Sequence, residues 1–408
     1  MATQTGYKAS KLGMIPQDWE IRRIGDFAPL QRGFDLPNSE IQSGDYPVVY
    51  SNGIGNYHNR YTVKSPCIAT GRSGTLGKVH YVEQDCWVHN TSLWVTKFDN
   101  CEPKFIYFLF QKIGFERFAS GSGVPTLNRN DAHEFKIALP KSTTEQTAIA
   151  AALSDTDALI GSLKTLIAKK QALKLSAIQN LLGGKIRLPG FALRPDGSLK
   201  TTRQTELGCV PEDWEVVELG DVCDILSGIN LSQNSKGSYP VTRIETIANG
   251  NIDLNRIGYV ETSQDIENYK LNYGDILFSN INSLDHIGKT AFYSACYELY
   301  HGTNLLRLVA KNINAKFLFE NLNSKPQRIF FQKIANQAVS QASINRTQLS
   351  KTLILKPKSI SEQTAIAQLL SDMDAEIESL ECRLKKTQSL KQGMMQALLT
   401  GKIRLPLE

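Results

Sequence analysis

The sequence predicts an α+β protein in which two mixed α/β domains are separated by two long helices, paired as an antiparallel coiled coil about a pseudo-two-fold axis. Three observations predict this fold. The chain repeats one framework of motifs, a long segment of each copy has apolar residues at helical spacing, and the two ends of that segment carry opposite charge. Because the copies lie about 200 residues apart, far beyond the period of solenoid repeats, the chain is a tandem duplication of one large unit.

Three blocks form the repeated framework. They are LGMIPQDWEIRRIGDF and LGCVPEDWEVVELGDV from residues 12 and 207, EQTAIAAALSDTDALIGSL and EQTAIAQLLSDMDAEIESL from residues 145 and 362, and LLGGKIRLP and LLTGKIRLP from residues 181 and 398. Identical positions number 8 of 16, 14 of 19 and 8 of 9. The stretches between the first and second blocks have diverged and differ in length. We infer that the framework serves a shared requirement while the middle of each unit is free to vary.

Each middle block opens a predicted long helix. The serines three residues before Glu145 and Glu362 complete capping boxes, in which the serine accepts a backbone N–H and the glutamate reaches back to the cap. Glycines at 183–184 and 401 predict the helix ends. The roughly 38 residues between these signals correspond to about 57 Å of helix, at 1.5 Å per residue.

Apolar residues recur along both helices with alternating spacings of four and three. This pattern is typical of a coiled-coil seam that requires a partner helix. A long helix lying on its own domain is the alternative. The predicted helix-pair and partner interface consists of Ile149, Leu153, Ile160, Leu163, Ile167, Ile366, Leu370, Met373, Ile377, Leu380 and Leu384.

The charges of the two helices favour antiparallel pairing. Carboxylates concentrate in the early turns of both helices, and lysine and arginine concentrate in the late turns. Antiparallel helices bring each acidic half against a basic half, whereas parallel helices would bring like charges together. Compensation of each helix's own dipole is the alternative explanation, but that effect fades within one turn.

These signals set the predicted boundaries. A stretch rich in Gly, Pro and polar residues follows the first helix and is interpreted as a linker. The predicted organisation is a first domain at 1–141, a first long helix at 142–183, the linker at 184–206, a second domain at 207–358, a second long helix at 359–400 and a C-terminal tail at 401–408.

Composition excludes some classes of function. The net charge of +6 and pI of about 8.8 permit nucleic-acid binding without requiring it. No apolar run approaches the length of a membrane span, the N-terminus lacks a secretory h-region, and the seven cysteines include no CxxC pair. We therefore expect a reduced, cytoplasmic protein without a membrane partner.

Catalytic motifs are missing from the sequence. The glycine-rich TGRSGTLGKV from Thr70 fails the phosphate-loop pattern in its glycine spacing and in the residue after Lys78. No HExxH motif, GxSxG elbow or pairing of histidine with cysteine occurs. We expect no catalytic residue, no metal site and no cofactor bound by this chain.

The whole arrangement resembles the specificity subunit of type I restriction–modification enzymes. The resemblance rests on G-x-x-P-x-D-W-E at 13–20 and 208–215, on the two E-Q-x-A-I-A helices, and on G-K-I-R-L-P at 184–189 and 401–406. It implies that the domains at 1–141 and 207–358 are target recognition domains, which read an asymmetric bipartite site in double-stranded DNA with an unread spacer.

The resemblance also implies the partners and their cofactors. The long helices would dock two methyltransferase (M) subunits, and restriction (R) subunits would join that core. S-adenosylmethionine, ATP and Mg²⁺ would be bound by those partners, which would supply adenine-N6 methylation and endonuclease activity.

Polar loops of the two domains supply the candidate DNA contacts. Arg and Lys suit guanine edges and phosphates, while Asn suits adenine. The alternative is that these Asn, Ser and Gly residues only make turns. The predicted DNA-binding residues are Arg32, Arg72, Lys78, Asn90, Asn128, Arg129, Arg243, Asn280, Asn282, Lys289, Asn304, Asn345 and Arg346.

Two other functions remain open from the residues alone. One is a non-enzymatic coiled-coil scaffold whose two domains bind proteins rather than DNA. The other is a stand-alone DNA-binding repressor, against which the absence of a clear helix-turn-helix pattern argues.

Overall fold

The computed structural model describes residues 6–121, 125–230, 233–234, 237–247, 250–294, 297–337 and 341–406. The chain divides into two compact units. Unit 1 comprises Met1–Thr165 and Leu380–Glu408, and unit 2 comprises Leu166–Ser379. Each unit is therefore assembled from parts of both copies of the repeat.

The first copy consists of short strands and short helices, and it closes with one helix of 39 residues. Its strands are β1 (Tyr7–Ser10), β2 (Gly13–Pro16), β3 (Trp19–Arg23), β4 (Leu30–Arg32), β5 (Tyr46–Tyr50), β6 (Gly53–His58), β7 (Cys67–Gly71), β8 (Val79–Val82), β9 (Trp87–Val88), β10 (Ser92–Val95), β11 (Ala119–Ser120), β12 (Thr126–Leu127) and β13 (Lys136–Pro140). Its α-helices are α1 (Ile24–Phe27), α2 (Pro103–Ile113), α3 (Arg129–Glu134) and α4 (Thr143–Leu181), with 3-10 turns at Asn38–Glu40 and Phe115–Phe118.

The second copy repeats this plan and also closes with a 39-residue helix. Its strands are β14 (Thr202–Thr205), β15 (Gly208–Pro211), β16 (Trp214–Glu218), β17 (Cys223–Ser227), β18 (Gln233–Asn234), β19 (Tyr239–Val241), β20 (Gly258–Val260), β21 (Ile276–Phe278), β22 (Ile281–Asn282), β23 (Thr290–Phe292), β24 (Leu306–Ala310), β25 (Asn336–Gln337), β26 (Ala342–Ser343) and β27 (Leu353–Pro357). Its helices are α5 (Leu219–Val222), α6 (Ala315–Asn323), α7 (Lys325–Ile334), α8 (Arg346–Ser350) and α9 (Ile360–Leu398), with 3-10 turns at Ile244–Ile247, Leu254–Arg256 and Glu267–Tyr269. The β14–β15 hairpin crosses the predicted boundary between residues 206 and 207.

Both units contain an antiparallel four-stranded sheet with the same strand order. The order is β4-β10-β7-β8 in unit 1 and β17-β24-β21-β23 in unit 2. In each unit, the strand that begins at the tryptophan of the D-W-E block also pairs with the strand that leads into the long helix, as β3 with β13 and as β16 with β27. The diverged middles of the two copies have therefore kept the same central sheet.

The core of unit 1 includes both long helices. Ile149 and Leu153, near the start of α4, belong to the same buried cluster as Trp19, and so do Leu398 and Leu399 near the end of α9. This part of the predicted seam packs on the domain core as well as on the other long helix.

Unit 2 repeats that arrangement with the roles of the helices exchanged. Ile366 and Leu370 of α9 lie in one buried cluster with Trp214, and Leu181 and Leu182 at the end of α4 complete it. The sequence left two interpretations of each long helix open, a coiled-coil seam and a helix that lies on its own domain. For the first turns of each helix, both interpretations are correct.

Further along the helices, the predicted seam is the buried face. Leu163 and Ile167 of α4 and Ile377 of α9 are buried. The remaining seam residues are partly buried, namely Ile160, Met373, Leu380 and Leu384. Their alternation with exposed positions is the burial pattern that four-three spacing predicts.

The two long helices run antiparallel, as predicted. In unit 2, Lys170 Nζ lies 2.7 Å from Glu376 and Lys174 Nζ lies 2.5 Å from Asp374, so the contact position falls on α9 as it rises on α4. The acidic early turns of one helix therefore face the basic late turns of the other.

Unit 1 contains the equivalent of one of these ion pairs. Lys391 Nζ lies 2.7 Å from Asp157. At the repeat offset of 217 residues, Asp157 corresponds to Asp374 and Lys174 corresponds to Lys391, so this pair is the equivalent of the pair between Lys174 and Asp374. Each helix thus contributes the carboxylate in one unit and the ammonium in the other.

The K-I-R-L-P motifs act as internal clasps. In unit 2, Arg187 binds Glu362 at the start of α9 at 2.6 and 2.7 Å, and it binds Asp213 of the D-W-E block at 2.8 and 3.0 Å. Glu362 is 1% exposed, so the arginine supplies the partner that a buried carboxylate requires.

Unit 1 has the same clasp at the C-terminal tail. Arg404 binds Glu145 at 2.9 and 2.7 Å and Asp18 at 2.9 and 2.8 Å. The predicted capping boxes consequently form only in part. The serines accept the backbone N–H of Glu145 and Glu362 at 3.4 Å, but both glutamate side chains bind the arginines instead of reaching back.

The glutamine of each E-Q pair also has a fixed structural role. Gln146 Nε2 donates to the carbonyl of Pro140 at 2.9 Å, and its Oε1 accepts the N–H of Glu102 at 2.8 Å. Gln363 makes the matching contacts in unit 2, with Pro357 and Asn314. Part of the identity between the two helix blocks is therefore required by packing inside each unit.

Two features are absent from the described residues. None of the helices in the described part of the chain is long and apolar enough to cross a membrane. Among the same residues, His, Cys, Asp and Glu side chains form no group of three that could hold a metal ion.

Candidate nucleic-acid interface

The predicted DNA-binding residues of unit 1 meet at one end of the four-stranded sheet. The loop after β7 is tied to the loop before β10 by a hydrogen bond from the N–H of Arg72 to the carbonyl of Thr91 at 2.8 Å. The loop after β4 joins the same end, because the N–H of Gly33 donates to the carbonyl of Ser92 at 3.0 Å. A side chain at Gly33 would collide with the backbone of His89, so only glycine permits this close approach.

A fourth segment brings the start of α3 to these loops. The N–H of Leu127 donates to the carbonyl of Arg72 at 2.8 Å. This bond brings Arg72 close to Asn128 and Arg129, although more than 50 residues separate Arg72 from them in the sequence. Arg32 ends β4 and Asn90 lies in the loop before β10, so both belong to the same end of the sheet.

Unit 2 builds the same surface from different residues. The N–H of Ile344 donates to the carbonyl of Asn280 at 2.9 Å, the counterpart of the bond between Leu127 and Arg72. The loop after β17 joins it through a 2.9 Å bond from the N–H of Ile229 to the carbonyl of His301. Asn280 therefore occupies the position in unit 2 that Arg72 occupies in unit 1.

The cations of this surface differ in exposure. Arg32, Lys78, Arg129 and Arg346 are exposed, and Arg72 is partly buried. None of these five side chains has a hydrogen bond or ion pair to another described residue. They are therefore available to phosphate or to base edges.

Two of the predicted cations in unit 2 are held by the protein. Lys289 Nζ lies 2.6 Å from Nδ1 of His286, and burial lowers the pKa of Lys289. Arg243 directly follows Thr242, whose hydroxyl accepts the N–H of Gly302 at 3.0 Å, so its backbone lies beside the loop before β24. Both positions remain part of the surface.

Three of the predicted asparagines have structural roles. Asn128 and Asn345 are the N-caps of α3 and α8, where their side chains accept backbone N–H groups at 3.0 and 2.8 Å. Asn282 donates to Ser279 at 3.0 Å and accepts the N–H of Ser283 at 2.8 Å. For these three residues, the alternative that asparagine organises a turn or cap describes what the structure contains.

Asn280 is different, because its amide oxygen is buried without a hydrogen-bond partner among the described atoms. The residue lines a cavity of about 270 Å³ together with the predicted Asn304. The same cavity is lined by Ser227, Asn230 and Thr303, which the sequence analysis missed. The sequence signal that could have identified them is Gly228 in S-G-I-N. Because Gly228 has no side chain, the loop after β17 can pass close to Gly302.

Histidines behind both surfaces are held neutral by burial. Desolvation lowers the pKa of His301 to about 4, and its Nε2 contacts the carbonyl of Leu305 at 3.0 Å. Desolvation also lowers the pKa of His89, whose Nδ1 lies 3.0 Å from the hydroxyl of Thr91. At neutral pH these rings therefore shape the loops rather than add charge to them.

Known proteins resemble the chain in sequence over most of its length. The model of the family described as the type I restriction modification DNA specificity domain matches residues 16–171 and 211–388. The type I restriction enzyme MjaVIII specificity subunit of Methanocaldococcus jannaschii is 24% identical over 424 residues, which cover 96% of this chain and 94% of that protein. A protein provisionally named as the MjaX specificity subunit of the same organism is 45% identical over 205 residues, and the match spans about half of each protein, 48% in both cases.

A solved structure resembles the fold over nearly the whole chain. The S subunit of a type I restriction–modification system from M. genitalium superposes with a TM-score of 0.61, covering 96% of this chain and 97% of that one. The two sequences are only 16% identical, so this comparison bears on the fold alone.

The fold contains two related domains whose loop surfaces share a backbone arrangement but differ in their side chains. The chain belongs to the family of type I restriction modification DNA specificity domains, and it contains two of them. That membership confirms that the chain is a specificity subunit and not the catalytic component of such a system. The protein-binding scaffold gains no support from these comparisons.

Proposed function

We propose that the chain reads an asymmetric bipartite site in double-stranded DNA, each unit reading one half-site. It docks two methyltransferase subunits, which restriction subunits join, and it works in the cytoplasm beside the host DNA. S-adenosylmethionine, ATP and Mg²⁺ serve those partners and are not bound by this chain.

One observation carries this proposal. The two sheet-end surfaces share a backbone arrangement but differ in the side chain at the equivalent position, Arg72 in unit 1 and Asn280 in unit 2. Arginine suits the O6 and N7 acceptors of guanine, whereas asparagine suits the N6 and N7 atoms of adenine. A protein that recognises two different half-sites requires this combination, the same backbone arrangement with different side chains.

The paired helices support the rest of the proposal. Their contacts repeat at an offset of 217 residues, so the two units offer equivalent surfaces to two copies of one partner. A helix of 39 residues rises about 58 Å, longer than one DNA turn of about 34 Å. We propose that helix length sets the length of the unread gap.

Co-expression with the methyltransferase subunit of the same host tests this function. Methylated adenines should fall within one bipartite motif with a gap of fixed length, and they should disappear when this chain is omitted. Methylation that is independent of this chain, or confined to a contiguous motif, would count against the proposal.

A further inference from the structure

One cavity on the loop surface of unit 2 is lined by a residue with an unsatisfied polar atom. The cavity, of about 270 Å³, is lined by Ser227, Asn230, Asn280, Thr303 and Asn304 among others. The Oδ1 atom of Asn280 is buried and accepts no hydrogen bond from a described atom. A buried carbonyl oxygen without a donor costs free energy, so a donor that reaches this amide from the cavity would be stabilising.

The backbone of Asn280 is fixed while its amide is not. The carbonyl oxygen of Asn280 accepts the N–H of Ile344 at 2.9 Å, which holds the main chain beside β26. No hydrogen bond from a described residue fixes the side-chain amide in its present rotamer. Rotation about the bond between Cβ and Cγ is soft, so either amide atom can turn toward the cavity.

Asn282 provides an internal comparison two residues further on. Its Nδ2 donates to the hydroxyl of Ser279 at 3.0 Å, and its Oδ1 accepts the N–H of Ser283 at 2.8 Å. Both ends of that amide are therefore engaged within the loop. Of these two neighbouring asparagines, Asn280 alone has an amide oxygen that an external donor would satisfy.

We propose that Asn280 is the specificity-determining residue for an adenine in the half-site read by unit 2, an inference that rests on the proposed function. Its amide presents an acceptor and a donor side by side, matching the N6 amino group and N7 of adenine in the major groove. Ser227, Asn230 and Thr303 line the same cavity and supply further polar groups beside Asn280. Arg72 occupies the equivalent position in unit 1, so one loop position selects a base in each half-site.

The test uses the full chain with its methyltransferase partner and begins with selection from a random-sequence duplex library. Duplexes of the selected site then carry single-atom changes at each adenine: purine removes the N6 amino group, and 7-deazaadenine replaces N7. The same duplexes are titrated with wild type, Asn280→Ala, Asn280→Asp and the matched control Asn282→Ala.

At one adenine, each single-atom change should weaken wild-type binding by about 5- to 150-fold and should weaken Asn280→Ala no further. Asn282→Ala should discriminate like wild type. Asn280→Asp, which keeps only acceptors, should shift the preference at that position toward cytosine, whose N4 amino group is a donor.

Two results would overturn the inference. The first is an Asn280→Ala complex that discriminates all bases as wild type does. The second is a wild-type complex that tolerates both analogues at every adenine of the half-site. A wild-type complex that enriches no sequence from the library would instead refute the proposed function itself. The duplexes that carry adenine analogues are also titrated with the wild-type protein, so this part of the test does not depend on the folding of the variants.

Discussion

The guanidinium of Arg187 binds the carboxylate of Glu362 through two hydrogen bonds of 2.6 and 2.7 Å, and both side chains are largely closed to solvent. Arg404 and Glu145 repeat this fork in the other unit. A bidentate fork is directional, so each K-I-R-L-P segment is fixed at the start of the long helix from the other copy. These contacts within the protein explain why the K-I-R-L-P motif is identical in both copies.

Replacing the clasp arginine of unit 2 should destabilise that unit strongly. Arg187→Ala would leave the carboxylate of Glu362 buried without a partner and should cost about 3–5 kcal/mol in the free energy of unfolding. The matched control is Arg194→Ala, because Arg194 binds Glu212 in a similar fork but is 37% exposed. That change should cost about 1 kcal/mol or less. Denaturant unfolding of both variants measures the difference, and equal losses would contradict the clasp.

The stability of unit 2 should fall as the pH drops from about 6.5 toward 4. Desolvation lowers the pKa of His301 to about 4, so between these values the unfolded chain binds a proton that the folded chain does not. Stability is therefore complete above the unfolded pKa and is lost by about 3 kcal/mol on acidification. Hydrogen exchange in β24 at several pH values measures this loss. His301→Gln should remove most of it, and an unchanged pH profile in that variant would exclude His301 as the cause.

The seam of the paired helices should depend on buried positions and not on their exposed neighbours. Leu163 is 4% exposed, whereas Leu166 on the same helix is 39% exposed. Leu163→Ala should cost about 2–4 kcal/mol, and Leu166→Ala should cost less than about 1 kcal/mol. Thermal unfolding of the two variants provides the comparison. A larger loss at Leu166 than at Leu163 would place the seam on a different face.

Two cations of unit 1 should affect DNA binding in different ways. Arg72→Ala should cost about 1–3 kcal/mol and relax one base position of one half-site. Lys78→Ala should weaken all sequences alike and reduce the salt dependence of binding by about one phosphate contact. Binding titrations against substituted duplexes at several salt concentrations separate these outcomes. Unaltered affinity and sequence preference in both variants would remove them from the interface.

The sequence predicts the frame of this protein better than its reading surface. Duplicated blocks and four-three spacing identify the helices and their antiparallel pairing, because these features follow from local periodicity and net charge. The roles of Arg187 and Arg404 are not predictable in this way, since each arginine contacts residues from the other copy of the repeat. Asn128 and Asn280 look alike in sequence, yet one caps a helix and the other faces a cavity. Only the tertiary contacts distinguish them.

The central claim is that one duplicated frame holds two unlike readers of DNA. Genome-wide maps of methylated adenines, made with the methyltransferase partner and either wild type, Arg72→Ala or Asn280→Ala, test it most directly. We expect Arg72→Ala to relax one half-site and Asn280→Ala to relax the other, while the gap between them keeps its length. Relaxation of the same half-site by both variants, or a single contiguous motif for wild type, would contradict it.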